Sequence, residues 1–162
     1  MFDYPNQQFE ALFLIALAAI LAAVPGLDRE KRHRPAGLRT HMMVAISTSA
    51  ITITARLIFP VDSAARIVAN VLTGIGFLGA GVIIQRKRYV HDITTAASIW
   101  LVAMVGIIVG YKLYILAVGL TILITFVLSF LRRFEDKSVP NPTEEYAKKH
   151  SEEDDPSPDD EN

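Results

Sequence analysis

Five apolar runs separated by short charged connectors set the pattern of this chain: residues 11–27, 42–59, 67–85, 94–111 and 113–131. Each comes close to the roughly 20 residues that a helix needs to cross a bilayer. The pattern therefore predicts an all-α polytopic membrane bundle with five transmembrane helices. The first run is short for a span but suffices if Tyr4 and Phe9 sit in the interface. The third run, IVANVLTGIGFLGAGVIIQ, sorts by size rather than by polarity. Ile67, Val68, Val71, Ile75, Leu78 and Val82 share one side of a helical wheel, and Ala69, Thr73, Ala80 and the glycines crowd the other. In lipid, small residues let neighbouring backbones approach closely. On that ground the run is predicted to be the central helix, packed through Asn70, Gly74, Gly76, Gly79 and Gly81.

The second run is the least apolar, and its polar residues are ordered. His41, Ala45, Thr48, Ser49, Thr52 and Arg56 recur on one face at helical spacing. Such a stripe belongs against other helices or a wet cavity, not against lipid. Ser47 and Thr54 face the other way and are expected to bond to carbonyls of their own helix. Pro60 ends the run, and residues 62–66 are read as a connector into the third helix. Arg56 is expected to reach the outer surface along its own helix; if it stays buried, Asp62 is the nearest acid in sequence.

Charge adds direction. The connectors holding Arg29, Lys31, Arg32, Arg34 and Arg39, then Arg86, Lys87 and Arg88, and the stop at Arg132 all fall on one side of five alternating spans. The connectors near Asp62 and Lys112 are poorer in Lys and Arg. The positive-inside rule puts the N-terminus outside and the C-terminus in the cytoplasm. Composition over the 162 residues, 51% hydrophobic with a formal net charge of −1, averages over this split and says little about partners. With no cysteine, disulfides, thiol catalysis and thiolate metal sites are excluded. The opening MFDYPNQQFE has no basic residue and does not resemble a cleavable signal peptide. Residues 1–134 form the membrane domain; residues 135–162, acidic and proline-punctuated, are expected to be a disordered cytoplasmic tail.

Candidate chemistry clusters at the cytoplasmic mouth. GIGFLG at Gly74–Gly79 fits a dinucleotide fingerprint only in letters, because it lies inside an apolar run with no preceding strand and no acid in place. PGLDREKRHRPAGLRTH holds Asp28, Arg29, Glu30, Arg39 and Thr40. Topological anchoring accounts for most such charges. The functional reading pairs Asp28 with Arg39 across adjacent helix ends, where an arginine can hold a carboxylate or phosphate in two-pronged fashion. Asp28 and Glu30 are also the candidate Mg2+ ligands, though two acids among so many cations make a poor cage. In HDITTAASIW, Asp92 is a candidate N-cap, with Thr94 and Thr95 in the first turn. Thr95 and Ser98 would line one inner cavity with the glycines of the third helix. His41 and His91 are read as interfacial. Gly106 and Gly110 make a G-x-x-x-G pair that serves either self-association or packing within one chain. Lipid is the partner the pattern implies, with room for a membrane-protein partner or a second copy; no nucleic acid, nucleotide or cofactor site is evident, and no nucleophile–base pair suggests an enzyme.

Three blocks, PGLDREKRHRPAGLRTH, SAARIVANVLTGIGFLGAGVIIQ and HDITTAASIW, resemble in order and spacing the signature of the MgtC/SapB family, which includes YhiD-type proteins. The resemblance spans roughly residues 9–133. It implies a multi-pass protein of the bacterial inner membrane, linked to magnesium homeostasis and to adaptation to low Mg2+ or acid stress. The family acid at the end of the first helix falls on Asp28, usually Glu in such motifs, and the arginine of A-G-L-R-T on Arg39. The alternative is a transporter or channel that itself moves a cation or small solute, suggested by the polar stripe of the second helix facing the small flank of the third. Many members carry a cytoplasmic domain after the last helix where this chain has residues 135–162, which puts the sensing functions of longer members in doubt.

Overall fold

Two glycines on the fourth helix decide how the bundle closes. The computed structural model describes residues 4–84 and 93–131. Among them the chain is all helical: α1 (Tyr4–Lys31), α2 (Leu38–Ile58), α3 (Val61–Ile84), α4 (Ile93–Gly110) and α5 (Tyr114–Phe126), which runs into a wide π-helical turn at Val127–Leu131. Four of these are long and apolar enough to cross a membrane, and α5 is a shorter apolar helix. The unit that ends at Ser129 has one continuous core, drawn mainly from α1, α2 and α4. The tail boundary at 134/135 lies outside the described residues.

The central element is α4, not α3. From Val105 to Gly110 every residue of α4 is buried, as are Thr95, Ser98, Ile99, Val102 and Ala103 nearer its start. A helix that is apolar all round belongs inside. The polar stripe of α2 lies against it: His41, Ala45, Thr48, Ser49 and Thr52 are all at 1% exposure or less. A Cβ on Gly106 would lie 2.6 Å from Ala45 O, and one on Gly110 would lie 2.8 Å from Thr52 Cβ and Cγ2. Only glycine fits at either place, so the G-x-x-x-G pair is used within the chain. The stripe's hydroxyls turn back on their own helix, Thr48 Oγ1 donating to Val44 O at 3.0 Å and Thr52 Oγ1 to Thr48 O at 2.7 Å. Ser47, on the exposed side, donates to Met43 O at 2.8 Å as its position implied.

The small flank of α3 faces away from the chain's own bundle. Asn70, Gly74, Gly76 and Gly81 are exposed, and a Cβ on any of these three glycines would meet nothing within 4 Å. Only Gly79 is packed as expected, with its Cβ position 3.4 Å from Ala96 Cβ of α4. The inward face is instead the bulky one: Ile75 is buried, and Val71 and Val82 pack against the core. Between hydrocarbon and an apolar helix there is no hydrophobic preference to choose a face, so size sorting marks two flanks without saying which points in.

Two helices also run further than their prolines suggested. Pro25 is buried inside α1, which continues to Lys31, and α3 starts at Val61 directly after Pro60, whose carbonyl accepts Ala64 N at 2.9 Å. Residues 62–66 are therefore helix. Proline suits the entry to a helix, and in a membrane bundle an interior proline is tolerated where neighbours cover it.

These contacts predict opposite signs for one chemical change. Gly106→Ala should destabilise the full chain by about 1–3 kcal/mol through overpacking. Gly76→Ala, in open space, should leave thermal unfolding in detergent unchanged or raise it by up to ~1 kcal/mol through helix propensity.

Candidate functional site

The α1–α2 loop end is assembled by the last turn of α1, the first turn of α2 and the first turn of α4. At the end of α1, His33 N donates to Glu30 O at 3.0 Å and Arg34 N to Arg29 O at 3.1 Å. His33 takes a φ of 52°. This is the crossed-bond helix stop that usually employs glycine at its left-handed position. The chain then reverses through Ala36, also left-handed at φ 55°, and Gly37, the N-cap of α2.

Gly37 has no side chain to cap α2, and Glu30 does it from across the loop. Its Oε2 accepts Leu38 N at 2.8 Å. That carboxylate passes so close that a Cβ on residue 37 would lie 2.9 Å from Oε2. A carboxylate at a helix N-terminus satisfies an otherwise orphaned N–H and complements the helix dipole. Just before it on α1, Gly26 lets the two helices touch: its Cβ position lies 3.0 Å from Leu38 Cα and 3.1 Å from His41 Cβ.

Arg29 is the tie between these parts. It is only 6% exposed, and its Nη2 donates to Thr95 Oγ1 of α4 and to Pro35 O at 3.3 Å. Thr95 is buried and its carbonyl accepts Ser98 Oγ at 2.8 Å. Beside them His41 is fully enclosed rather than interfacial. Its Nδ1 lies 3.0 Å from Gly37 O, which can only accept, so Nδ1 carries the proton and donates. His41 Nε2 and Ser49 Oγ, both buried, find no partner among the described residues.

The structure thus brings Arg29, Thr95, Ser98 and Glu30 into the framework of one site, and adds His41. It separates the pair expected to shape the site. Asp28 Oδ1 is held by Arg32, one turn along α1, with Nε and Nη2 each at 2.9 Å. A neighbour four residues on in the same helix reaches a carboxylate without any loop closure. Arg39 and Thr40 are exposed on the first turn of α2. Nor can Thr95 and Ser98 share a cavity with Gly74, Gly76 and Gly81, which point outward. Asp28 and Glu30, the candidate Mg2+ ligands, are directed at separate partners, and no three His, Asp or Glu side chains converge among the described residues. His91 and Asp92 lie outside the described residues.

Arg29 and His41 carried a signal in the sequence. Continued through Pro25, the buried positions Leu14, Ala18, Ala22 and Pro25 run in helical phase to Arg29. Ending the first helix at Pro25 hid that phase, and Arg29 looked like one of several loop cations.

Comparison with known proteins bears on the same segments. The profile of the MgtC family matches residues 15–137. The chain is 37% identical over 118 residues to MgtC of Brucella abortus strain 2308, covering 73% of this chain and 50% of that protein. It is 33% identical over 127 residues to YhiD of Escherichia coli strain K12, provisionally designated a magnesium transporter, covering 74% and 59%. MgtC of Salmonella typhimurium strain LT2 is 37% identical over 116 residues, covering 72% and 50%. The chain thus spans about half the length of the curated relatives it matches. No solved structure matches.

If Arg29 ties α1 to α4, Arg29→Lys should lower unfolding stability in detergent by about 2 kcal/mol, since lysine cannot serve both acceptors in the same planar geometry. Lys31→Arg, at an exposed position, should stay within about 0.5 kcal/mol of the parent.

Proposed function

Because the chain belongs to the MgtC family, we propose that it is a multi-pass protein of the bacterial inner membrane acting, without catalysis, in magnesium homeostasis and adaptation to low Mg2+ or acid stress. It works through the α1–α2 loop end, which faces the cytoplasm with the N-terminus outside. The charge pattern supports that orientation: Arg29, Lys31, Arg32, Arg34 and Arg39 all belong to this end.

The observation that carries the reading is the buried tie from Arg29 to Thr95. A buried guanidinium is costly to desolvate and contributes little net stability. What it does supply is a fixed geometry. With Glu30 capping α2 from the other side of the loop, the first turn of α2 is held at both flanks and presents Arg39 and Thr40 outward. Arg39 makes no hydrogen bond or ion pair among the described residues, so its fork is available to a carboxylate or phosphate of a membrane-protein partner.

The alternative, conduction of a cation or small solute, rested on α2's polar stripe opening toward the small flank of α3. That stripe is filled by the glycine face of α4, and its threonine hydroxyls are satisfied by their own helix. A packed stripe favours the non-conducting reading.

Deletion and complementation across Mg2+ concentration and pH tests this. Loss of the gene should impair growth at low Mg2+. Arg39→Lys should fail to restore growth although it keeps the charge, and Lys31→Arg should restore it fully. Equal restoration by both would remove the site. In liposomes containing the purified chain, Mg2+ flux should not exceed that of empty liposomes. Flux abolished by Asp28→Asn would establish the transporter instead.

A further inference from the structure

The polar stripe of α2 finishes at the opposite end of the bundle with a charge that packing leaves unmatched. Arg56, in the last turn of α2, is half-buried, and its Nε is enclosed with no partner among the described residues. It does not turn to Asp62, which is exposed at the start of α3. Instead it lines a cavity of about 290 Å³ between α1 and α2, together with Gln7, Glu10 and Lys112. Lys112 sits at a left-handed helix stop of α4, φ 64°, from which it reaches Glu10 in an ion pair. Two cations against one carboxylate leave one positive charge in the chamber, and the carboxylate is already taken.

A second groove of about 380 Å³ continues from this chamber. It shares Gln7, Ala11, Ile53 and Leu57 with the first and adds Ile15 and Ala50, further along α1 and α2 toward the middle of the bundle. The two together have a cationic head and an apolar tail. Free phosphate would match the head and leave the tail empty. A molecule that matches both carries an anionic phosphate on an alkyl chain. In the proposed membrane setting Arg56 and Lys112 also lie near the end of the spans, where headgroups reside.

We propose that this end of the α1–α2 interface is a binding site for an anionic phospholipid, its phosphate held by Arg56 with Lys112 alongside and one acyl chain in the groove lined by Ile15, Ala50 and Ile53. The site takes from the proposed function only its membrane setting and is separate from the Arg29 end. Arginine's fork matches two phosphate oxygens, which lysine alone would hold only as a point charge.

Native mass spectrometry of the purified full chain with phosphatidylglycerol or phosphatidylcholine tests this directly. Phosphatidylglycerol should be retained on the order of tenfold more tightly, and Arg56→Gln should abolish that preference. Glu10→Gln should move it the other way, by roughly threefold, because Lys112 is released and a like charge is removed. That gain would not arise from mere destabilisation, so the proposal stays testable even if Arg56→Gln folds poorly. Ile53→Trp, which fills the groove, should weaken both lipids. Equal retention of the two lipids, a loss of preference in Glu10→Gln, or protection by inorganic phosphate equal to that by phosphatidylglycerol in a thermal-shift assay would each overturn it.

Discussion

The contact that the rest of the bundle depends on is the one between the glycines of α4 and the small polar residues of α2. Helices in lipid gain little from burying apolar surface against one another, so they associate through close packing and hydrogen bonds. Gly106 and Gly110 bring the backbone of α4 within reach of Ala45, Thr48, Ser49 and Thr52. The hydroxyls at 48 and 52 are already bonded to α2's own carbonyls, so that approach strands neither of them. One arrangement thus removes the polar stripe from lipid, fills the space that a pathway would need, and makes α4 the axis on which α1, α3 and α5 are placed.

With that axis fixed, the two ends of the bundle are closed by different means. At the α1–α2 loop, a buried arginine reaches from α1 to α4 and a glutamate reaches back to cap α2. At the other end, Lys112 closes on Glu10 across the surface. Both turns place a non-glycine residue, His33 or Lys112, at a left-handed helix stop. Each such residue costs about 1 kcal/mol relative to glycine. For Lys112 the cost is offset by the ion pair its position permits. For His33, whose side chain is exposed, the structure offers no compensating contact.

The sequence made the architecture legible and left the directions of its parts open. Five apolar runs, the helical stripe from His41 to Arg56 and the G-x-x-x-G pair all stand in the structure where periodicity placed them. The direction of α3 did not follow, because size sorting in an apolar solvent has no sign: Gly74 and Ile75 are adjacent in sequence and opposite in fate. The site was legible in its members more than in its connections. Arg29, Glu30, Thr95 and Ser98 were candidates, but their links depend on α1 continuing through Pro25, which a local rule about proline argues against. Asp28 and Arg39 failed to pair because Arg32 is nearer to Asp28 by helix geometry alone.

A double-mutant cycle between α2 and α4 tests the central contact most directly. A Cβ at residue 110 would lie 2.8 Å from Thr52 Cβ and Cγ2, and Thr52→Gly removes both atoms. Gly110→Ala should therefore destabilise the parent chain yet be nearly neutral beside Thr52→Gly, giving a coupling of about 1–2 kcal/mol in thermal unfolding. Effects that simply add, within a few tenths of a kcal/mol, would mean that the two helices do not meet there, and the packed polar stripe would be contradicted.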